Sequence, residues 1–220
     1  MPAIVRFVFS GFAENTYVVS DASGECVIVD PGCGEAAEQA ELSAYIEREK
    51  LRPVHLLNTH CHIDHVLGNA FVTKKWQLPL TSHRDEQVVL DTAGPISTAY
   101  GISYEPSPPI SVFLDAGDTV SFGETTLHVR FVPGHSPAHI VFYDKADGYV
   151  LCGDTIFAGS VGRTDLPGGN TETLMTSITE QLMTLPEDTR LLPGHMEETT
   201  VGEERANNPF LRAWREGKTF

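Results

Sequence analysis

The sequence predicts an α/β sandwich in which helices lie on the outer faces of its sheets. Three observations lead there. Runs rich in β-branched and aromatic residues fall into two groups, one before His60 and one between residues 118 and 154. Stretches of helical composition alternate with these groups or follow them. At 220 residues with 41% apolar content the chain can bury one continuous core, so a single domain spanning 1–220 is expected.

The first group opens with "AIVRFVF", "NTYVVSD" and "ECVIVDPG", each bounded by Gly, Asn, Asp or Pro as strands are. Glu35 to Lys50 then changes to helical composition, with Ala, Leu and Ile every three to four residues. "PVHLLNT" is a short apolar strand that runs into a histidine cluster. "HVLGNAFVTKKW" and "HRDEQVVLDTA" read as helices on either side of a short "LPL" strand. Residues 94–112 are rich in Pro, Ser and Gly and have no period, which predicts an excursion loop. "DTVSFG", "TTLHVRFVPG", "HIVFYD" and "GYVLCGD" form the second group of strands. A Gly-rich loop at 158–170 follows, then a helix over 171–184, a strand at "TRLLPG" and a helical tail ending "NNPFLRAWREG".

Fifteen basic residues against thirty acidic give a formal net charge of −15. Such a field repels polyanions, so neither nucleic acid nor an anionic membrane surface is an expected partner. The N-terminal apolar run is broken by Arg6 and then Glu14, so it reads as a first strand and not as an export signal. No apolar run approaches the roughly twenty residues that cross a bilayer, and a cytoplasmic location is expected. Cys26, Cys33, Cys61 and Cys152 show no CxxC spacing and are too scattered for a disulfide framework, which predicts reduced thiols.

The chemistry concentrates in "NTHCHIDHVLGN", which packs His60, His62, Asp64 and His65 into six positions. Where a strand passes into a loop, side chains alternate, so His60 and His62 face one way and Cys61 the other. Asp64 and His65 fall where the pattern turns helical, and a carboxylate there is favoured by the positive end of the helix dipole. One ion could take the first pair and a neighbouring ion the second. Three later segments end apolar runs and present further donors: "FVPGHSPAH" offers His135, "VLCGDTIF" offers Asp154 and "RLLPGHMEE" offers His195. Sheet-based folds place their ligand-binding loops at such strand ends. His55, His83, His128 and His139 lack comparable settings; His139, four residues after His135, is the one competitor among them and is expected to start the next strand. All seven candidates are nitrogen or oxygen donors, a set that suits zinc and admits iron or manganese.

"THCHIDH", "PGHS", "GDT" and "PGH", in this order, resemble the metallo-β-lactamase superfamily. "GSVGRTDLPGG" after the Asp makes the chain most similar to its glyoxalase II-like hydrolases, in a short form without the C-terminal helical domain of the full-length enzymes. The resemblance covers nearly the whole chain. It implies an αββα sandwich of two mixed sheets flanked by helices, with the site along one edge. It also implies that His60, His62 and His135 hold one divalent metal, that Asp64, His65 and His195 hold a second, and that Asp154 bridges them. Asp30, in "VIVDPG", matches a position that supports the site, although an Asp before Pro is also a turn former. The implied activity is hydrolysis of S-lactoylglutathione or a related small acyl thioester or ester by a hydroxide shared between the metals, with Asp64 and Asp154 orienting it. Arg163, in "VGRTD", either meets a substrate carboxylate or staples its loop to Asp165. The same "GRTD" is similar to persulfide dioxygenases, which hold a single iron, and a lactonase of the same superfamily is a further alternative.

Overall fold

Tyr17, Val18 and Val19 are consecutive and all buried, yet Val18 packs into one apolar cluster and its two neighbours into another. A strand does this when both its faces are covered, because successive side chains point to opposite sides. The division repeats in Cys26 and Ile28 against Val27 and Val29, and in Ile140 and Phe142 against Val141 and Tyr143. Three apolar layers result, one between two sheets and one under the helices on each outer face. The computed structural model describes residues 3–218.

The first sheet takes β1 (Ala3–Phe9), β2 (Glu14–Ser20), β3 (Glu25–Val29), β4 (Arg52–Leu57), β5 (Leu80–Ser82) and β6 (Val112–Phe113) in that order. Its first three strands are antiparallel and β3 to β6 run parallel. The second sheet takes β7 (Thr119–Phe122), β8 (Thr125–Phe131), β9 (Ile140–Asp144) and β10 (Tyr149–Gly153). After a small hairpin of β11 (Ile156–Phe157) and β12 (Ser160–Val161) come β13 (Arg190–Pro193) and β14 (Thr199–Thr200). The order is β14-β13-β10-β9-β8-β7, with β10 and β13 parallel. Both sheets are therefore mixed. On the first sheet lie α1 (Ala36–Arg48), α2 (Ile63–Val66), α3 (Asn69–Trp76), α4 (Gln87–Leu90) and α5 (Ala93–Tyr100), through Leu42, Ile46, Val66, Val72, Val89 and Ala93. On the second lie α6 (Thr171–Ser177) with a π turn at Ile178–Leu182, α7 (Val201–Asn207) and α8 (Pro209–Arg215). The architecture is the helix-flanked pair of mixed sheets that the sequence predicts. No helix among the described residues is long and apolar enough to cross a membrane.

Several local expectations need correction. Residues 94–112 are not a bare loop, since Ala93–Tyr100 is α5 and Val112–Phe113 pairs with β5. Gly94 and Pro95 disguise α5, but both lie in its first turn, where a missing N–H breaks no helical bond. The "LPL" strand sits two residues later, at Leu80–Ser82. The helix expected over 65–76 breaks at Leu67–Gly68 because Gly68 sits against the 31–33 loop, donating its N–H to the Pro31 carbonyl at 2.7 Å. A Cβ on Gly68 would lie 2.5 Å from Cys33 Sγ. The tail breaks at Asn208, whose side-chain oxygen accepts from the Phe210 N–H at 2.9 Å and so starts α8 at Pro209.

The sheets are joined along one edge. Asn15 donates its backbone N–H to Gly194 at 2.7 Å and its amide to Pro193 at 2.9 Å, and Tyr17 donates its hydroxyl to Pro193 at 2.8 Å. Ile140 donates its N–H to Thr59 at 2.9 Å across the same seam. The carboxyl ends of β3, β4, β10 and β13 meet there.

Candidate metal centre

β4 ends at Leu57, and the next five residues carry no regular structure, so their conformation must be fixed by side chains. Asp30 does this. It stands at the end of β3 with φ +49 and is buried. Its Oδ1 accepts the Thr59 N–H at 2.7 Å and the Asn58 amide at 3.3 Å, and its Oδ2 accepts the Thr59 hydroxyl at 2.6 Å. Because that hydroxyl spends its proton on Asp30, it accepts from His60 Nδ1 at 3.1 Å. Nε2 of His60 is thereby left with its lone pair free.

The same logic fixes two more imidazoles, and an ion pair orients a third. His135 Nδ1 donates to the Arg163 carbonyl at 2.8 Å, and His195 Nδ1 donates to the Ala13 carbonyl at 3.2 Å. His65 Nδ1 lies 3.3 Å from Asp30 Oδ2, within ion-pair reach though not aligned as a hydrogen bond. Each ring therefore turns Nε2 inward, which is how outer hydrogen bonds orient metal-binding histidines. His62 presents Nδ1, 2.9 Å from His135 Nε2.

Two groups of donors result. Atoms of His60, His62 and His135 all lie within 4.8 Å of one another, as do atoms of Asp64, His65 and His195. Asp154 stands between the groups, its Oδ1 3.4 Å from His65 Nε2 and its Oδ2 3.6 Å from His135 Nε2 and 3.5 Å from His195 Nε2. Donors arranged tetrahedrally at about 2.0–2.1 Å from an ion stand about 3.3 Å apart. Moreover, His60 Nε2, His65 Nε2 and Asp154 Oδ1 are buried without a hydrogen-bond partner. Orphaned atoms of this kind cost about 1–3 kcal/mol each. Their convergence is accounted for if cations satisfy them, and the residues present fit two metal ions. Asp30, His60 and His65 also form a close group, but Asp30 already accepts three hydrogen bonds.

The electrostatics of the metal-free centre divide the two groups. Burial, then neighbouring imidazoles, push His60 far down, and burial with His135 lowers His62 to about 3, so both are neutral and able to coordinate. Burial also lowers His65, but the charges of Asp154 and Asp64 outweigh it and hold the ring well above its ordinary range. For Asp154 and Asp64 burial acts upward, yet the positive charge of His65 keeps both carboxylates below theirs.

Residues 10–195 match the metallo-beta-lactamase superfamily. The chain belongs to that superfamily. It is a metallo-hydrolase by that membership, and two relatives of comparable length illustrate it. The probable metallo-hydrolase YqgX of Bacillus subtilis is 38% identical, the match covering 90% of this chain and 92% of that one. The hydroxyacylglutathione hydrolase GloC of Haemophilus influenzae is 31% identical over 93% and 95% of the two chains. The crystal structure of TTHA1623 in a di-iron-bound form is 36% identical, with a TM-score of 0.84 over 94% of this chain and 100% of that one.

This member of the superfamily also shows side chains that its sequence did not single out. His139 does precede β9, but it belongs to the centre's surroundings: its ring stacks on His60 at 4.7 Å and its Nε2 accepts the Asp154 N–H at 3.2 Å. Its spacing of four from His135 was the available signal. Glu14 is fully buried, accepts the Thr16 hydroxyl at 2.8 Å and reaches within 3.9 Å of His65 Nδ1. Burial holds its carboxyl well above the ordinary range. Glycines make room for the centre, since a Cβ on Gly153 would meet Thr59 Oγ1 at 2.3 Å and one on Gly162 would meet the Asp154 carbonyl at 1.9 Å. Cys61 lies in the apolar cluster under the first sheet's helices and in none of the donor groups.

Arg163 pairs with Asp165 through two bonds of 2.6 and 2.7 Å, the stapling arrangement of the two that the sequence left open. Beside this loop is a cavity of about 340 Å³ lined in part by Gly162, Arg163, Thr171, Leu174, Met175 and Phe210. A larger one of about 600 Å³ lies on the outer face of the second sheet and contains none of the donor residues.

Proposed function

We propose that this chain is a dinuclear metallohydrolase that cleaves small acyl thioesters of the glyoxalase II type. His60, His62 and His135 would hold one divalent ion, Asp64, His65 and His195 the second, and Asp154 would serve both. The observation that carries this reading is the place of the Asp154 carboxylate, within 3.6 Å of histidines from both groups. Bound there, two divalent ions would lower the pKa of a shared water towards about 7 and polarise a substrate carbonyl.

The chain's own residues prepare the rest. Asp64 and Asp154, held ionised, orient a water by accepting its hydrogen bonds. Asp30 fixes the 58–60 segment and faces His65 on the side away from Asp154, so donor positions are set before substrate arrives. Phe12, next to the Ala13 whose carbonyl faces His195 Nδ1, packs on Tyr100 at 6.2 Å, and Met196, 54% exposed, follows His195 in the chain, so exposed apolar side chains suited to an acyl or thiol substituent flank that ligand on both sides of the sequence. Arg163 acts on the centre through its carbonyl on His135, and its guanidinium would meet a substrate carboxylate only by giving up Asp165. Zinc is the first choice for the ions. The di-iron relative and the all nitrogen and oxygen donor set support iron as an alternative, and manganese suits the same donors. Four free buried cysteines and the net charge of −15 support a reducing compartment and a small-molecule substrate in preference to nucleic acid or membrane.

Metal content per chain, followed by S-lactoylglutathione hydrolysis against oxygen uptake with glutathione persulfide, tests this. Two ions and thioester cleavage are expected. One iron with oxygen consumption would replace the hydrolase by a persulfide dioxygenase.

A further inference from the structure

Glu86 ends the 3-10 turn Arg84–Glu86 and is fully buried, an expensive place for a carboxylate unless donors surround it. Three do. Its Oε2 accepts the N–H of Cys61, the residue between His60 and His62, at 2.9 Å. Its Oε1 accepts the N–H of Ala138 at 2.9 Å and the hydroxyl of Ser136, the neighbour of His135. One carboxylate thus fastens, from its two oxygens, the two loops that carry the first donor group. Those loops are far apart in the chain, His62 and His135 being 73 positions from each other, yet their nitrogens stand 2.9 Å apart.

We propose that Glu86 is a positioning residue that sets the spacing of His60, His62 and His135, and so the affinity of that group for a divalent ion, while touching neither ion nor substrate. The inference rests on reading those three histidines as a metal set. It applies to that set alone, because the second group is held by other partners: His195 by Ala13, and His65 by Asp30. The carboxylate is required because all three of its neighbours donate. Glutamine would turn its NH2 group either towards the Cys61 N–H or towards the Ala138 N–H, where the Ser136 hydroxyl could accept from it but Ala138 could not, so one backbone contact would be lost either way.

The test titrates metal-free protein with Zn(II) alone, by calorimetry against a competing chelator, in the parent, Glu86→Gln and Ser136→Ala. Two ions are expected in the parent. Glu86→Gln should keep one at parental affinity and weaken the other by about 10–100-fold, the usual effect of losing an outer partner. Ser136→Ala, which leaves both N–H contacts, should weaken the same ion by less. Placing Glu86→Gln on His195→Ala should weaken the remaining ion, and placing it on His135→Ala should leave the remaining ion unchanged. Equal weakening of both ions, or unchanged binding of both in a folded variant, would overturn the assignment. If Glu86→Gln does not fold, unchanged binding in Ser136→Ala overturns it instead. A parent that takes up no ion, or one, would defeat the underlying metal reading before Glu86 is at issue.

Discussion

Gly194 precedes His195 and has no left-handed φ, so alanine there meets no backbone strain. The added Cβ would nevertheless stand 2.3 Å from Asp154 Oδ1 and 2.6 Å from His65 Cε1. Ordinary contact begins near 3.4 Å, leaving an overlap of about 1.1 Å with the carboxylate. The backbone cannot easily retreat, because Gly194 donates to the Gly153 carbonyl at 2.8 Å and accepts from Asn15 at 2.7 Å. Asp154 must therefore move by about 1 Å, away from one or both donor groups. Overpacking of this kind costs about 1–3 kcal/mol in stability, and a 1 Å misplacement of a reacting group costs on the order of a hundredfold in rate. Gly194→Ala should thus remain folded by circular dichroism, lose metal occupancy at both positions and lose activity on the order of a hundredfold. Gly11→Ala, whose Cβ meets nothing within 4 Å, is the matched control. If Gly194→Ala binds two ions and turns over substrate as the parent does, Asp154 does not occupy the shared position.

Glu14 offers a test of pH dependence: burial raises its folded pKa, so its neutral form suits the fold and its contribution to stability falls as pH rises from its unfolded value through its folded one. Glu14→Gln should therefore gain melting temperature over the parent between pH 5 and pH 8 in metal-free protein, and a gap that stays constant or narrows would contradict the assignment. His65 and His195 both sit above the ordinary imidazole range, so an ion binding there must displace protons. Calorimetry in buffers of different ionisation enthalpy at pH 7 should register net proton release and weaker binding at lower pH; binding without proton exchange would count against it. In α5, Gly94→Ala meets no neighbour within 4 Å and removes a helix-weakening residue, so it should raise stability by up to about 1 kcal/mol, or roughly 2–4 °C, in thermal unfolding.

The seven candidate side chains could be picked from the sequence because each is local: His60, His62, Asp64 and His65 lie in one run, and His135, Asp154 and His195 each follow an apolar strand. The structure brings those seven side chains together. What surrounds them was not legible, because it is decided by tertiary neighbours. Glu86 sits among charged residues in "HRDE" and looks like a solvated helix start, and Glu14 looks like a hairpin residue. Only packing reveals that both are fully buried. Likewise α5 was hidden by Gly94 and Pro95, which lower helical propensity without disrupting a first turn.

Each donor group draws two members from the first half of the chain and one from the second, His62 reaching His135 across 73 positions and Asp64 reaching His195 across 131. An ion held in either group would therefore be a long-range crosslink. In the chain-entropy account, a link closing a loop of this size restricts the unfolded ensemble by on the order of 4–5 kcal/mol, with nested loops adding less than their sum. With all four cysteines free, metal supply would then govern how long this chain survives proteolysis as well as how fast it turns over substrate.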